Sequence, residues 1–110
     1  MGPFPHDAPP ASITRQNPAG TDGFEFVEFA HPQSGELHRL FTQMGYVAVA
    51  RHRSKAVTVY RQGDINYLLN AEPTSFALRF VAQHGPCAPA MAWRVVDAKN
   101  AFEIVRNHRM

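Results

Sequence analysis

A strand followed by a helix occurs twice in this chain at nearly constant spacing, and the two occurrences differ in what comes after them. In the first, Phe24 to Phe29 alternates aromatic and acidic side chains with the period of two that marks a half-buried strand. His31-Pro32 closes the strand, Ser34 opens a helix, and Leu37, Leu40, Phe41 and Met44 recur at helical spacing up to the stop at Gly45. In the second, Ala90 to Val96 reads as a strand, and Asp97 caps a helix with Ala98, Ala101, Phe102 and Val105 as its stripe. Phe29 and Val95 are 66 residues apart, and Leu40 and Val105 are 65 apart. Such repeats mark units that bury a face against their own copy. The first copy runs on into three strands, whereas the second reaches Met110 without them. That predicts an uncovered apolar face along Trp93 and Phe102. Either a second copy of the chain or further polypeptide has to cover it.

The three strands of the first copy are Tyr46 to Ala50, Val57 to Arg61 and Ile65 to Leu69. The last two form a hairpin across Gln62-Gly63-Asp64, where glycine supplies the positive φ of a tight reversal. A helix over 74–84 follows, with Phe76, Phe80, Val81 and His84 as its stripe and a stop at Gly85-Pro86. The expected fold is α+β. A βαβββ module over about 23–72 leads through a linking helix over 74–84 to an incomplete second module over 89–110. Together these make one domain over 21–110. Residues 1–20 carry more than half of the nine prolines and no apolar period, so they read as a flexible arm.

Net charge excludes several partner classes. Eleven basic and nine acidic residues leave +2 in 110 residues, too balanced for a nucleic-acid binder. No apolar run reaches the ~18 residues of a membrane span, and the opening residues lack the pattern of a secretion signal. A cytoplasmic address is expected. A single cysteine, Cys87, excludes an internal disulfide and a multi-cysteine zinc site.

Six histidines raise the question of a metal. A non-haem iron site needs two histidines and a carboxylate with open positions. The nearest local set is His31, Glu36 and His38, but a strand end and an off-stripe helix position aim the two rings differently, so both read as surface residues. His84 sits at a helix C-terminus, where a structural role is expected, and His6 and His108 lie at the chain ends. Arg51, His52, Arg53 and Lys55, with Arg61 on the next strand, form the densest basic patch. Three scattered tyrosines do not make it a stacking platform, and it reads as a charged strand edge. Cys87, in a Gly-Pro-Cys-Ala-Pro turn, lacks the base that a nucleophilic thiol needs. Asn66 and Asn70 on the fourth strand indicate a face that meets polar groups. The residues themselves yield a fold with no catalytic, cofactor-binding or metal-ligating residue. A metal site shared across a dimer would have only Glu25, Glu28 and His52 on strands to draw on.

Longer strings carry a resemblance. Asn17-Pro18-x-Gly20-Thr21-Asp22-Gly23-Phe24-Glu25-Phe26-Val27-Glu28-Phe29 resembles the opening of bacterial 4-hydroxyphenylpyruvate dioxygenases. So do Ala50-Arg51-His52-Arg53-Ser54-Lys55, Tyr60-Arg61-Gln62-Gly63-Asp64-Ile65-Asn66, Leu69-Asn70-Ala71-Glu72-Pro73, and Met91-Ala92-Trp93-Arg94-Val95-x-Asp97-Ala98. The similarity runs from about Asn17 to Ala101. It implies a vicinal-oxygen-chelate architecture of βαβββ modules. It also implies Fe(II)- and O₂-dependent conversion of 4-hydroxyphenylpyruvate to homogentisate in tyrosine breakdown. In that family the iron ligands, two histidines and a glutamate, lie in a C-terminal domain, and none of their motifs matches a position here. The resemblance therefore implies a non-catalytic N-terminal domain or fragment that packs on a missing C-terminal domain or forms a homo-oligomer, without nucleic acid or membrane. The alternative is a stand-alone module of the same fold that self-associates or binds a partner.

Overall fold

The computed structural model describes residues 10–107. Its elements are β1 (Thr21–Ala30), α1 (Ser34–Gln43), β2 (Val47–Arg51), β3 (Val57–Gln62), β4 (Ile65–Asn70), α2 (Phe76–His84), β5 (Cys87–Val95) and α3 (Ala98–Asn107). The strands are hydrogen-bonded in the order β2-β3-β4-β1-β5. β2, β3 and β4 form an antiparallel meander, and β1 joins β4 in parallel, with Val27 opposite Tyr67 and Phe29 opposite Leu69. A βαβββ module followed by a linking helix and a further βα is the vicinal-oxygen-chelate arrangement expected from the sequence. The chain divides into two compact units, one of residues 26–92 and one of the described residues up to Glu25 and from Trp93 onward.

In the 26–92 unit, α1 ends as the sequence predicts. Gly45 takes φ +97°, its N–H reaches the Thr42 carbonyl, and the Tyr46 N–H returns to the Phe41 carbonyl at 2.9 Å. This seats Phe41 and Tyr46 in a core with Tyr60 and Leu69, bordered by Phe29, Leu37 and Tyr67. The rings meet mostly edge to face, except that Tyr46 stacks on Tyr67 at 4.3 Å and 15°. Leu40 and Met44, expected to share the buried stripe, are about half exposed. Phe41 is the buried residue of α1 and Leu37 packs beside it, so the helix covers a narrower arc than a four-residue stripe.

The opposite side of the sheet carries a second cluster of Ala30, Ala77 and Val81, with Leu78 and Cys87 against it. Here the expected α2 face is rotated. Phe76 and His84 are exposed, and the small Ala77 lets the helix close on Ala30. α2 begins at Phe76 with Ser75 as its cap, the hydroxyl accepting from the Leu78 N–H at 3.2 Å. The hairpin between β3 and β4 turns on Gly63-Asp64. Positive φ occurs at Gly63 (+59°) and not at Asp64, as in a II′ reversal.

In the other unit, α3 is capped by Asp97, which accepts from the Asn100 N–H at 3.2 Å. The segment ahead of β1, read from composition as an arm, is hydrogen-bonded from Thr14 onward. The Asn17 side chain accepts from the Thr21 N–H and donates to the Thr21 carbonyl, both at 3.0 Å. Pro18 accepts from Asn100, and Val96 N–H donates to Gly20. A side chain at Gly20 would meet Ile13 at 2.9 Å and Val96 at 3.3 Å, so glycine is required for this approach.

Candidate functional site

Metal-binding side chains do not converge. Among the described residues no group of three or more His, Cys, Asp or Glu is placed to hold an ion. The described histidines each serve local structure instead. His31 Nδ1 accepts from the Gln33 N–H at 2.8 Å, and His52 Nδ1 accepts from the N–H groups of Ser54 and Lys55 at 3.1 and 3.0 Å. His84 lies against the Phe80 ring at 4.2 Å. His6 and His108 fall outside the described residues. Glu28 accepts from Asn70 Nδ2 at 2.8 Å, Asn70 in turn accepts from the Glu72 N–H, and the Glu72 carboxylate accepts from the Ala56 N–H. This chain ties β1, β4 and the turn before β3 together on the side of the sheet away from α1. It is the polar face that Asn66 and Asn70 announce in the sequence.

Two adjoining hollows open between α1, β2 and β3, and sequence reasoning does not bring their residues together. The larger, about 440 Å³, is lined by His38, Ala48, Val49, Ala50, Arg51, Thr58 and Tyr60. The smaller shares His38, Arg51, Thr58 and Tyr60. Tyr60, 2% exposed, forms the floor, and its hydroxyl lies 2.6 Å from His38 Nδ1. Burial raises the Tyr60 hydroxyl above its ordinary range, and Arg51 pulls it partly back. The hydroxyl is therefore protonated at neutral pH and shares a hydrogen bond with the ring nitrogen. His38 is thus a surface residue, as expected, but anchored to the core.

Arg51 reaches this side through a break in the strand. Ala48 pairs with Tyr60, Ala50 with Val59 and Arg51 with Thr58, so Val49 is an extra residue in β2. Had the register run on unbroken from Ala48, Arg51 would lie one step beyond Thr58, opposite Val57 and on the other face. A bulge leaves no periodic signature in five residues, which is why the sequence places Arg51 in a solvated patch with Arg53 and Lys55.

A third feature lies wholly within the terminal unit. Trp93 and Val95 of β5, Ala98, Ala101, Phe102 and Val105 of α3, and Ala19 and Thr21 border an open apolar groove of about 620 Å³. Trp93 is 55% exposed and Phe102 63%, and α3 has no buried residue. The Trp93 ring stacks on Phe24 at 4.4 Å, which fixes it at the groove wall. This is the face that the unfinished repeat predicts. Among the described residues no helix is long and apolar enough to cross a membrane.

Comparison with known proteins follows the same outline. Residues 15–108 match the family described as "Hydroxyphenylpyruvate dioxygenase, HPPD, N-terminal". The chain is 49% identical over 94 residues to a 4-hydroxyphenylpyruvate dioxygenase of Pseudomonas aeruginosa, covering 83% of this chain and 26% of that protein. Among solved structures, a xylose isomerase-like TIM barrel/4-hydroxyphenylpyruvate dioxygenase fusion protein is similar with a TM-score of 0.71 and 40% identity. That match covers 93% of this chain and 16% of the fusion. A methylmalonyl-CoA epimerase from Mycobacterium tuberculosis shares the fold at a TM-score of 0.65 and 15% identity, over 80% of this chain and 65% of its own. The chain thus spans about a quarter of the length of the 4-hydroxyphenylpyruvate dioxygenases it matches.

Proposed function

The chain belongs to the hydroxyphenylpyruvate dioxygenase family, in the part that family keeps at its N-terminus, and from that premise we propose that it is the front portion of a cytoplasmic enzyme converting 4-hydroxyphenylpyruvate and O₂ to homogentisate. The observation that carries the reading is the match over residues 15–108. Fe(II), when bound in such an enzyme, supplies the activation of O₂. The described residues do not fit that ion, since no two histidines and a carboxylate come together among them. On this reading, which rests on the match to the family's N-terminal part, the iron and the reacting groups belong to further polypeptide and residues 10–107 contribute packing. The groove between Trp93 and Phe102 is where that polypeptide docks. In the first module the corresponding strand–helix pair, β1 and α1, is closed by β2, β3 and β4, and α3 has no such strands after it within this chain.

A chimera tests the proposal. Residues 1–107 joined to the remainder of the P. aeruginosa relative, loaded with Fe(II), are expected to form homogentisate, while the 110-residue chain alone forms none. A chimera that melts cooperatively and holds iron yet makes no homogentisate overturns the reading. A tight dimer of the 110-residue chain with Trp93 shielded from solvent also counts against it, and favours a self-associating module.

A further inference from the structure

The hollow between α1, β2 and β3 lies within the 26–92 unit and shares no lining residue with the terminal groove. Of the residues lining the two adjoining hollows, none is Asp or Glu and one, Arg51, carries a fixed charge. The nearby Glu36 on α1 is held by Arg39 at 2.5 Å. Arg51 has no carboxylate partner among the described residues, and the Val49 bulge is what brings it opposite Thr58 and onto the Tyr60 side. Bulges recur where a strand has to re-aim one side chain. The neighbouring donors are fixed in place. The Tyr60 hydroxyl is anchored in the core, it holds His38 at 2.6 Å, and Thr58 supplies a hydroxyl directly across from Arg51. Ala48, Val49 and Ala50 give one wall that is apolar.

We propose that this hollow binds a small organic monocarboxylate, its carboxyl group gripped by the Arg51 guanidinium beside His38 and Thr58 and its apolar body against Ala48 to Ala50. A guanidinium pairs two parallel N–H groups with the two oxygens of a carboxylate. The class follows from the charge. One fixed cation balances one negative charge, whereas a phosphate dianion calls for more, and Arg53 and Lys55 do not line the hollow. A volume of about 440 Å³ is in the range of small-molecule sites.

The experiment is an NMR titration of the 110-residue chain with benzoate, with its neutral isostere benzamide and inorganic phosphate as comparators. Benzoate is expected to give saturable shifts at residues 48–51, 58 and 38, with a Kd of about 1 mM, typical of a single charged anchor. Benzamide and phosphate are expected to bind at least about tenfold more weakly. Arg51→Gln, at an exposed strand end, should leave the melting temperature unchanged and weaken benzoate about tenfold. Tyr60→Phe keeps the ring packing and should weaken it less, by freeing His38. Equal shifts from benzoate and benzamide, phosphate binding as tight as benzoate, or unchanged benzoate affinity in a folded Arg51→Gln chain would each overturn the assignment.

Discussion

Arg94 meets Glu25 at two points, Nε lying 3.4 Å from Oε2 and Nη2 3.5 Å from Oε1, with each side chain only 12% exposed. An ion pair this sheltered adds little beyond an apolar pair of the same size, but breaking one side of it is costly. Arg94→Met is expected to lower the unfolding free energy by about 2–3 kcal/mol. The double change Glu25→Leu with Arg94→Met should recover at least half of that loss. Urea unfolding of the two variants and the parent checks both statements.

Alkali should unfold the 26–92 unit through its tyrosines. Burial, followed by the hydrogen bond and proximity of Tyr67, pushes the Tyr46 hydroxyl up from 10 to about 12. The folded form keeps its proton to a higher pH than the unfolded form does. The stabilisation from this group is therefore complete below pH 10 and is lost as pH rises to about 12. Tyr60 shifts in the same direction. Urea midpoints measured across that window are expected to fall, and in Tyr46→Phe to fall less steeply, with tyrosinate absorbance following the same course.

Two glycines with positive φ should respond differently to alanine. At Gly63 a Cβ meets nothing within 4 Å, so Gly63→Ala carries only the backbone term of about 1 kcal/mol. At Gly45 the same atom would lie 2.6 Å from Gln62 Nε2, the amide that donates to the Met44 carbonyl at 3.1 Å. Gly45→Ala must displace that amide as well, and is expected to cost about 2 kcal/mol. Thermal melts of the two variants give the ordering.

The apolar groove predicts a spectroscopic signature. Trp93 is the only tryptophan and is half exposed beside Phe24. Its emission in the 110-residue chain should be red-shifted and readily quenched by acrylamide, and the chain should bind a hydrophobic dye. Phe102→Asp should reduce dye binding several-fold while changing stability by less than about 0.5 kcal/mol, because the ring is 63% exposed already.

Much of the architecture was legible from periodicity because the strands and helices of this fold are short and cleanly punctuated. Gly45, Gly63, Gly85 and Asp97 each end or begin an element where the sequence says they should. What escaped was rotation and phase. Phe76 and Leu40 fit a helical stripe as well as Ala77 and Leu37 do, and only the neighbour across the interface decides which is covered. The α1–β2–β3 hollow was illegible for a related reason. Its residues come from three elements, and the one-residue insertion that aligns Arg51 with Thr58 has no compositional mark. Even Tyr60 reads as an ordinary strand aromatic until His38 is found on its hydroxyl. The family strings, by contrast, needed no geometry to be read, since they lie within the chain's local sequence.

An extra residue also makes a strand a poor template. β2 is an outer strand with all five residues exposed, the situation in which one chain adds to the edge of another. A neighbour extending along β2 in regular register would lose step at Val49 and then meet the charge of Arg51. The insertion disfavours fibre-like assembly along the edge of the sheet that, among the described residues, no further strand covers.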